Sequence, residues 1–140
     1  MMLFIDTWGW LTLRDRRETR HKEVKTFYQE VQKQKGKICT TDYVLDETYT
    51  LLFKRLPYIV ARESVERLNE AVLNGYLAIE WITPEQFEEA KKLRMKYQDK
   101  PRISFTDLTS IVVMNKLKIV NILTEDAHFI QVGMGFNVVP

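Results

Sequence analysis

The chain has 140 residues, 45% of them hydrophobic and 29% charged. That composition suits one globular domain over residues 1–140 and excludes disorder, and no apolar run approaches the roughly 20 residues of a spanning helix. Twenty-one Lys and Arg against nineteen Asp and Glu leave a net charge of +2, too small to name a partner, and the single cysteine excludes an internal disulfide and points to a reducing cytoplasm.

Met2–Ile5 reads as a buried strand, and Asp6 follows it directly. No basic region precedes these apolar residues, so the segment does not read as a signal peptide. Helical patterns follow at 8–14 and 17–35. Residues 14–37 carry nine Lys/Arg and four acids, either a phosphate-facing surface or a solvated helix face. Gly36 stands where the second helix should stop, and Lys37–Cys39 is a weaker strand candidate. Helices at 42–55 and 58–74 lead to a stop at Gly75 and a strand at Tyr76–Ile82. Thr83-Pro84-Glu85-Gln86 is a capping box with Pro at the first helical position, opening a helix over 84–98. A helix at 104–117, a strand at Lys118–Leu123, a short turn at 126–132 and a strand at Phe136–Val139 complete the chain. Strands alternating with helices require crossover connections, hence an α/β fold with a mostly parallel sheet and helices on both faces. In such sheets the active cleft lies beyond the carboxyl ends of the strands.

Four acids occupy or border that region. Asp6 and Asp126 each stand just past an apolar strand, where each is either a helix cap or a cleft residue. Glu47 lies on a helix capped by Asp42 or Thr41. At about 100° per residue, Val44, Leu45, Thr48, Leu51 and Leu52 form one stripe, with Glu47 at its flank and Asp46 pointing away. The helix holding Asp107 is apolar on every face after its first turn and gathers its polar residues at its N-terminal end. Ser104-x-x-Asp107 is an approximate capping box; the same end also suits the mouth of a wet cleft. Carboxylates brought together raise one another's pKa unless a cation neutralises them, and Mg²⁺ and Mn²⁺ prefer oxygen ligands. Such a site suits phosphodiester hydrolysis.

Leu-Phe-Ile-Asp-Thr at 3–7, Thr-Thr-Asp-Tyr-Val-Leu-Asp-Glu-Thr at 40–48, Ser-Phe-Thr-Asp at 104–107 and Ile-Leu-Thr-Glu-Asp-Ala-His-Phe at 122–129 resemble PIN-domain ribonucleases, and most of all VapC-type toxins of toxin–antitoxin pairs. Arg20-His21-Lys22-Glu23 resembles the family's stretch between its first two helices. The resemblance covers essentially the whole chain. It implies a three-layer α/β/α sandwich, Mg²⁺- or Mn²⁺-dependent RNA cleavage, a small antitoxin partner and a homodimer. On it, Asp6, Glu47, Asp107 and Asp126 ring the metal site, with Asp6 and Asp107 the direct ligands. Thr7, Thr106 and Thr124 stand beside them as hydrogen-bonding support. Trp8-Gly9-Trp10 departs from the family's small or aliphatic residues; these tryptophans either stack on RNA or pack the helix.

Alternatives are a phosphotransfer or phosphatase domain, disfavoured because Asp6-Thr7-Trp8 lacks a second acid and Lys118 precedes its strand, and a non-catalytic PIN-like binding domain. His21 and His128 lie far apart in sequence without a nucleophilic triad pattern. Cys39 reads as inert core, and Lys91, Lys92, Arg94 and Lys96 suit the helix dipole without a ligand.

Overall fold

Leu3, Phe4 and Ile5 are consecutive strand residues, so their side chains alternate between sheet faces, and all three are 0% exposed. Both faces of the sheet are therefore covered. The computed structural model describes residues 1–140 as β1 (Met2–Ile5), α1 (Thr7–Arg14), α2 (His21–Lys33), β2 (Lys37–Thr41), α3 (Asp42–Arg55), α4 (Tyr58–Leu73), β3 (Leu77–Glu80), α5 (Pro84–Lys96), α6 (Phe105–Leu117), β4 (Asn121–Leu123), α7 (His128–Gln131) and β5 (Asn137–Val139). The five strands form one sheet in the order β3-β2-β1-β4-β5, every pair parallel. The sheet is thus wholly rather than mostly parallel.

Strand order reverses at β1. The chain steps outward through β2 and β3, then returns to β4 and β5 on the other side. Right-handed crossovers put α1 to α4 on one face and α5 to α7 on the other. The β1–β4 boundary is the switch point, where strand ends splay and leave a crevice. Within the layers, α1 packs on α2 and α3, and α5 packs on α6. Residues Asp107 to Met114 of α6 are buried without interruption, as expected of a helix apolar on every face.

Several boundaries differ from the sequence reading, and three of the differences have a local cause. The helix expected from residue 17 begins at His21, because the Asp15 carboxylate accepts the Arg17 backbone N–H at 3.0 Å and both ends of its guanidinium, folding 15–20 into a turn. At the end of α2 the left-handed residue is Lys35, with φ 57°. Gly36 serves close approach instead: a Cβ there would stand 2.7 Å from Val31 Cγ1. The strand expected from Lys118 starts at Asn121, because Lys118 turns left-handed at φ 58° and Ile119 N–H returns to the Met114 carbonyl at 2.9 Å, closing α6. The Thr83 capping box is formed in both directions.

Candidate active site at the β1–β4 crevice

Asp6 continues the β1–β4 ladder, its N–H donating to the Leu123 carbonyl at 3.2 Å. Its backbone occupies the N-cap position of α1, but its carboxylate makes no capping bond. Oδ2 instead accepts the Thr124 hydroxyl at 3.0 Å, across 118 residues of sequence. The capping explanation of this acid is therefore displaced by a tertiary one. Close packing brings this about. A Cβ on Gly9 would meet Ile5 Cγ2 at 2.8 Å and the Leu123 carbonyl oxygen at 2.9 Å, so only glycine lets α1 lie flush on β1 and β4.

Thr124 is buried and bridges two acids. Its oxygen accepts the Asp126 N–H at 3.1 Å while its proton goes to Asp6. Asp126 Oδ1 then accepts the His128 N–H at 2.9 Å, a turn that folds the chain back over the crevice. Asp107 enters from the mouth of α6. Ser104 accepts its backbone N–H at 3.0 Å, so one half of the capping box is present. The reciprocal half, from the Ser104 backbone N–H to the Asp107 carboxylate, is not; that carboxylate meets the Ser104 hydroxyl and Asp126 instead. Arg94 braces the turn ahead of Ser104: its guanidinium donates to the carbonyls of Tyr97, Lys100 and Ile103.

The electrostatics are those of crowded acids. Burial, first of all, pushes the Asp6 carboxyl up to about 6; the charges of Glu47 and Asp126 add to this, and the Thr7 amide and Thr124 hydroxyl oppose it. Asp107 is held well above the usual carboxylate range by burial, then by the charges of Asp6 and Asp126 and a hydrogen bond with Asp126. Glu47 is exposed on α3, yet its charge reaches Asp6, whereas Asp46 makes no such contribution. Thr41 is the cap of that helix, accepting Val44 N–H at 3.1 Å, and Asp42 instead accepts Ile82 N–H at 2.8 Å.

The supporting threonines divide. Thr124 contacts the acids as expected. The Thr7 hydroxyl instead donates to the Val44 carbonyl at 3.4 Å, joining α1 to α3, and only its backbone acts on Asp6. Thr106 contributes its carbonyl to the Thr109 hydroxyl at 2.6 Å, a bond internal to α6. Trp10 is buried, donates to Thr40 Oγ1 at 3.3 Å and meets Tyr28 edge-on, while Trp8 lies half-buried beneath the Arg20 guanidinium at 5.1 Å. Both are packing residues. Cys39 is buried with its thiol pushed up to about 12, hence inert.

His128 is the residue that sequence reading passed over. Its Nδ1 stands 2.9 Å from Asp126 Oδ1 and 3.7 Å from Asp107 Oδ2. One ligand atom from each of Asp107, Asp126 and His128 lie within 4.8 Å of one another. The signal was present as Asp126-x-His128 just beyond an apolar strand. His21, by contrast, is engaged with the Thr12 carbonyl at 2.7 Å.

The basic stretch at 14–37 borders a separate groove of about 910 Å³ between α1, α2 and α4, lined by Arg14, Arg17, Lys25, Tyr28, Leu56 and Arg67 among others and by none of the four acids. Several of its charges are paired: Arg14 with Ser64 and Glu63, Arg17 with Asp15.

The PIN domain family model matches residues 3–134. Among solved structures, the chain is similar to Mycobacterium tuberculosis VapC20, described as a sarcin-ricin loop cleaving toxin, at 28% identity and a TM-score of 0.81 over 98% of each chain. VapBC2 from Rickettsia felis, solved bound to a DNA fragment from its promoter, shares the fold at 13% identity and a TM-score of 0.72, over 99% of this chain and 98% of that one. FitAcB from Neisseria gonorrhoeae shares it at 13% identity and a TM-score of 0.64, over 98% and 97% respectively. Among curated proteins no sequence match is found. Sheet order, acids at the switch point and the family match agree: the chain belongs to the PIN domain family.

Proposed function

We propose that this protein is a divalent-metal-dependent endoribonuclease, the toxin of a toxin–antitoxin pair. The observation that carries the reading is the convergence of Asp6, Asp107 and Asp126 at one crevice, two of them buried and all mutually repelling, with Glu47 in electrostatic reach. The similarity to VapC20 supports both the ribonuclease and the toxin. The donor set fits a hard cation: carboxylate oxygens predominate, and a buried His128 nitrogen beside them has no hydrogen-bond partner.

Asp6 and Asp107 are the ligands in this proposal. Burial and repulsion favour their protonated forms, so both release protons when positive charge arrives. What Mg²⁺ or Mn²⁺ supplies when bound is a lowered pKa for the attacking water and stabilisation of charge on the phosphate. Thr124 keeps Asp6 and Asp126 in fixed relation. Asp126 and the exposed Glu47 flank the crevice, where they orient water and accept its proton. One sheet and one principal core of 24 buried residues support reading residues 1–140 as a single domain. No helix is long and apolar enough to cross a membrane. A small antitoxin and a homodimer belong to the same proposal, on the likeness to VapC-type toxins.

The test is cleavage of mixed RNA by tag-free protein in Mg²⁺ or Mn²⁺, then in excess EDTA, then after metal is restored. Loss and recovery are expected. Full cleavage in EDTA would overturn the metal dependence, and RNA binding without cleavage under every metal would favour a non-catalytic PIN-like domain.

A further inference from the structure

The acids of the crevice leave one polar atom without a role. His128 Nδ1 is shielded from solvent and has no hydrogen-bond partner. It lies 2.9 Å from Asp126 Oδ1, but that oxygen already accepts the His128 backbone N–H, also at 2.9 Å. In the neutral ring with its proton on Nε2, Nδ1 carries a lone pair beside the Asp126 carboxylate, with Asp107 Oδ2 3.7 Å from the nitrogen. Around an octahedral ion with ligands at about 2.1 Å, adjacent ligand atoms stand about 3 Å apart and opposite ones about 4.2 Å. The 3.7 Å between Nδ1 and Asp107 Oδ2, the latter a ligand in the proposal above, falls within that span.

We propose that His128 is a nitrogen ligand of the metal site and that it biases the site toward Mn²⁺ over Mg²⁺. The inference rests on the metal-dependent reading above. Carboxylate and water suit Mg²⁺ and Mn²⁺ alike, whereas an imidazole nitrogen is a softer base that Mg²⁺, a hard ion reluctant to shed water, accepts poorly. The ring is held in place by a chain of bonds: Thr124 fixes the Asp126 amide, and Asp126 fixes the His128 amide. His21 does not compete for the role, since its Nδ1 is engaged with the Thr12 carbonyl.

The experiment uses the tag-free full chain with Mn²⁺ alone and no RNA. Pulsed electron paramagnetic resonance of the bound ion reads directly whether a ¹⁴N nucleus is coordinated, and needs no variant. A ¹⁴N coupling is expected in the wild type and in His21→Asn, and is absent in His128→Asn. Mn²⁺ affinity should fall about tenfold or more in His128→Asn, the scale by which changes around a metal shift affinity, and Mg²⁺ affinity, measured by competition, should fall less, so that the Mn²⁺ preference drops. Bound Mn²⁺ without ¹⁴N coupling in the wild type would overturn the proposal while leaving the metal-dependent reading intact. An unchanged Mn²⁺ preference in His128→Asn would do the same. Failure of the wild type to bind Mn²⁺ at all would overturn both.

Discussion

Replacing Asp6 with Asn isolates the electrostatic cost of the crevice. Asp6 is 7% exposed, and its carboxyl sits at about 6 against an ordinary value of 3.8, chiefly through desolvation. The folded chain therefore holds this proton better than the unfolded chain does. The resulting stabilisation is fully present below pH 3.8 and is lost as pH rises through about 6. Two pKa units at 1.36 kcal/mol each amount to about 3 kcal/mol lost by pH 8 in the metal-free protein. Asp107 is shifted in the same direction and carries the loss further up the pH scale. Asn has nearly the same shape, can still accept the Thr124 hydroxyl and cannot ionise. In EDTA at pH 8, Asp6→Asn should be more stable than the wild type by up to about 3 kcal/mol, with each kcal/mol worth about 2–4 °C in a chain of this size. The gap should close near pH 4, where the wild-type carboxyl is itself protonated. Saturating Mn²⁺ should reverse the order, because binding stabilises only the state that retains the ligand. Thermal melts of both proteins from pH 4 to 8, with EDTA and with Mn²⁺, decide the matter. A variant less stable than the wild type at pH 8 in EDTA, or a gap independent of pH, would refute the reasoning.

Three further outcomes follow from the same geometry. Glu47→Gln should lower Mn²⁺ affinity and RNA cleavage together, whereas Asp46→Asn should change stability by less than about 0.5 kcal/mol and leave cleavage intact, because only Glu47 acts on Asp6; parallel titrations with Mn²⁺ measure both. Thr124→Val should cost about 1–3 kcal/mol in urea unfolding and impair cleavage by stranding the Asp126 N–H and removing the Asp6 contact, while Thr124→Ser keeps the hydroxyl and should restore most of both. Gly9→Ala should destabilise by about 1–3 kcal/mol or more in the same assay, because the added Cβ meets a backbone carbonyl at 2.9 Å that cannot swing aside.

The places where sequence reading stopped short share a cause. Helix starts and strand cores were legible because capping chemistry and apolar runs are local. The start of α2 was not, because the bidentate Arg17–Asp15 contact outweighs the helical pattern of 17–20. Thr7 was read from adjacency as a partner of the acids. Its hydroxyl turns to Val44, 37 residues away, a choice set by how α1 meets α3. Arg94 was read as a dipole partner, and it holds three carbonyls of the turn that presents Ser104 and Asp107.

By itself the sequence determined the order of strands and helices and the carboxylates at strand ends; it set Glu47 nearer the core than Asp46, whereas both are exposed on α3. Those properties follow from apolar runs, helical phase and capping preferences acting over a few residues. Tertiary structure alone decided the strand order β3-β2-β1-β4-β5, and with it the meeting of Asp6 and Thr124 at one crevice. It also decided that the Asp126 turn carries His128 over Asp107. Periodicity says which face of an element is buried, but not which neighbour buries it. The pKa shifts, the bridging hydroxyl and the unpartnered imidazole all arise from that neighbour.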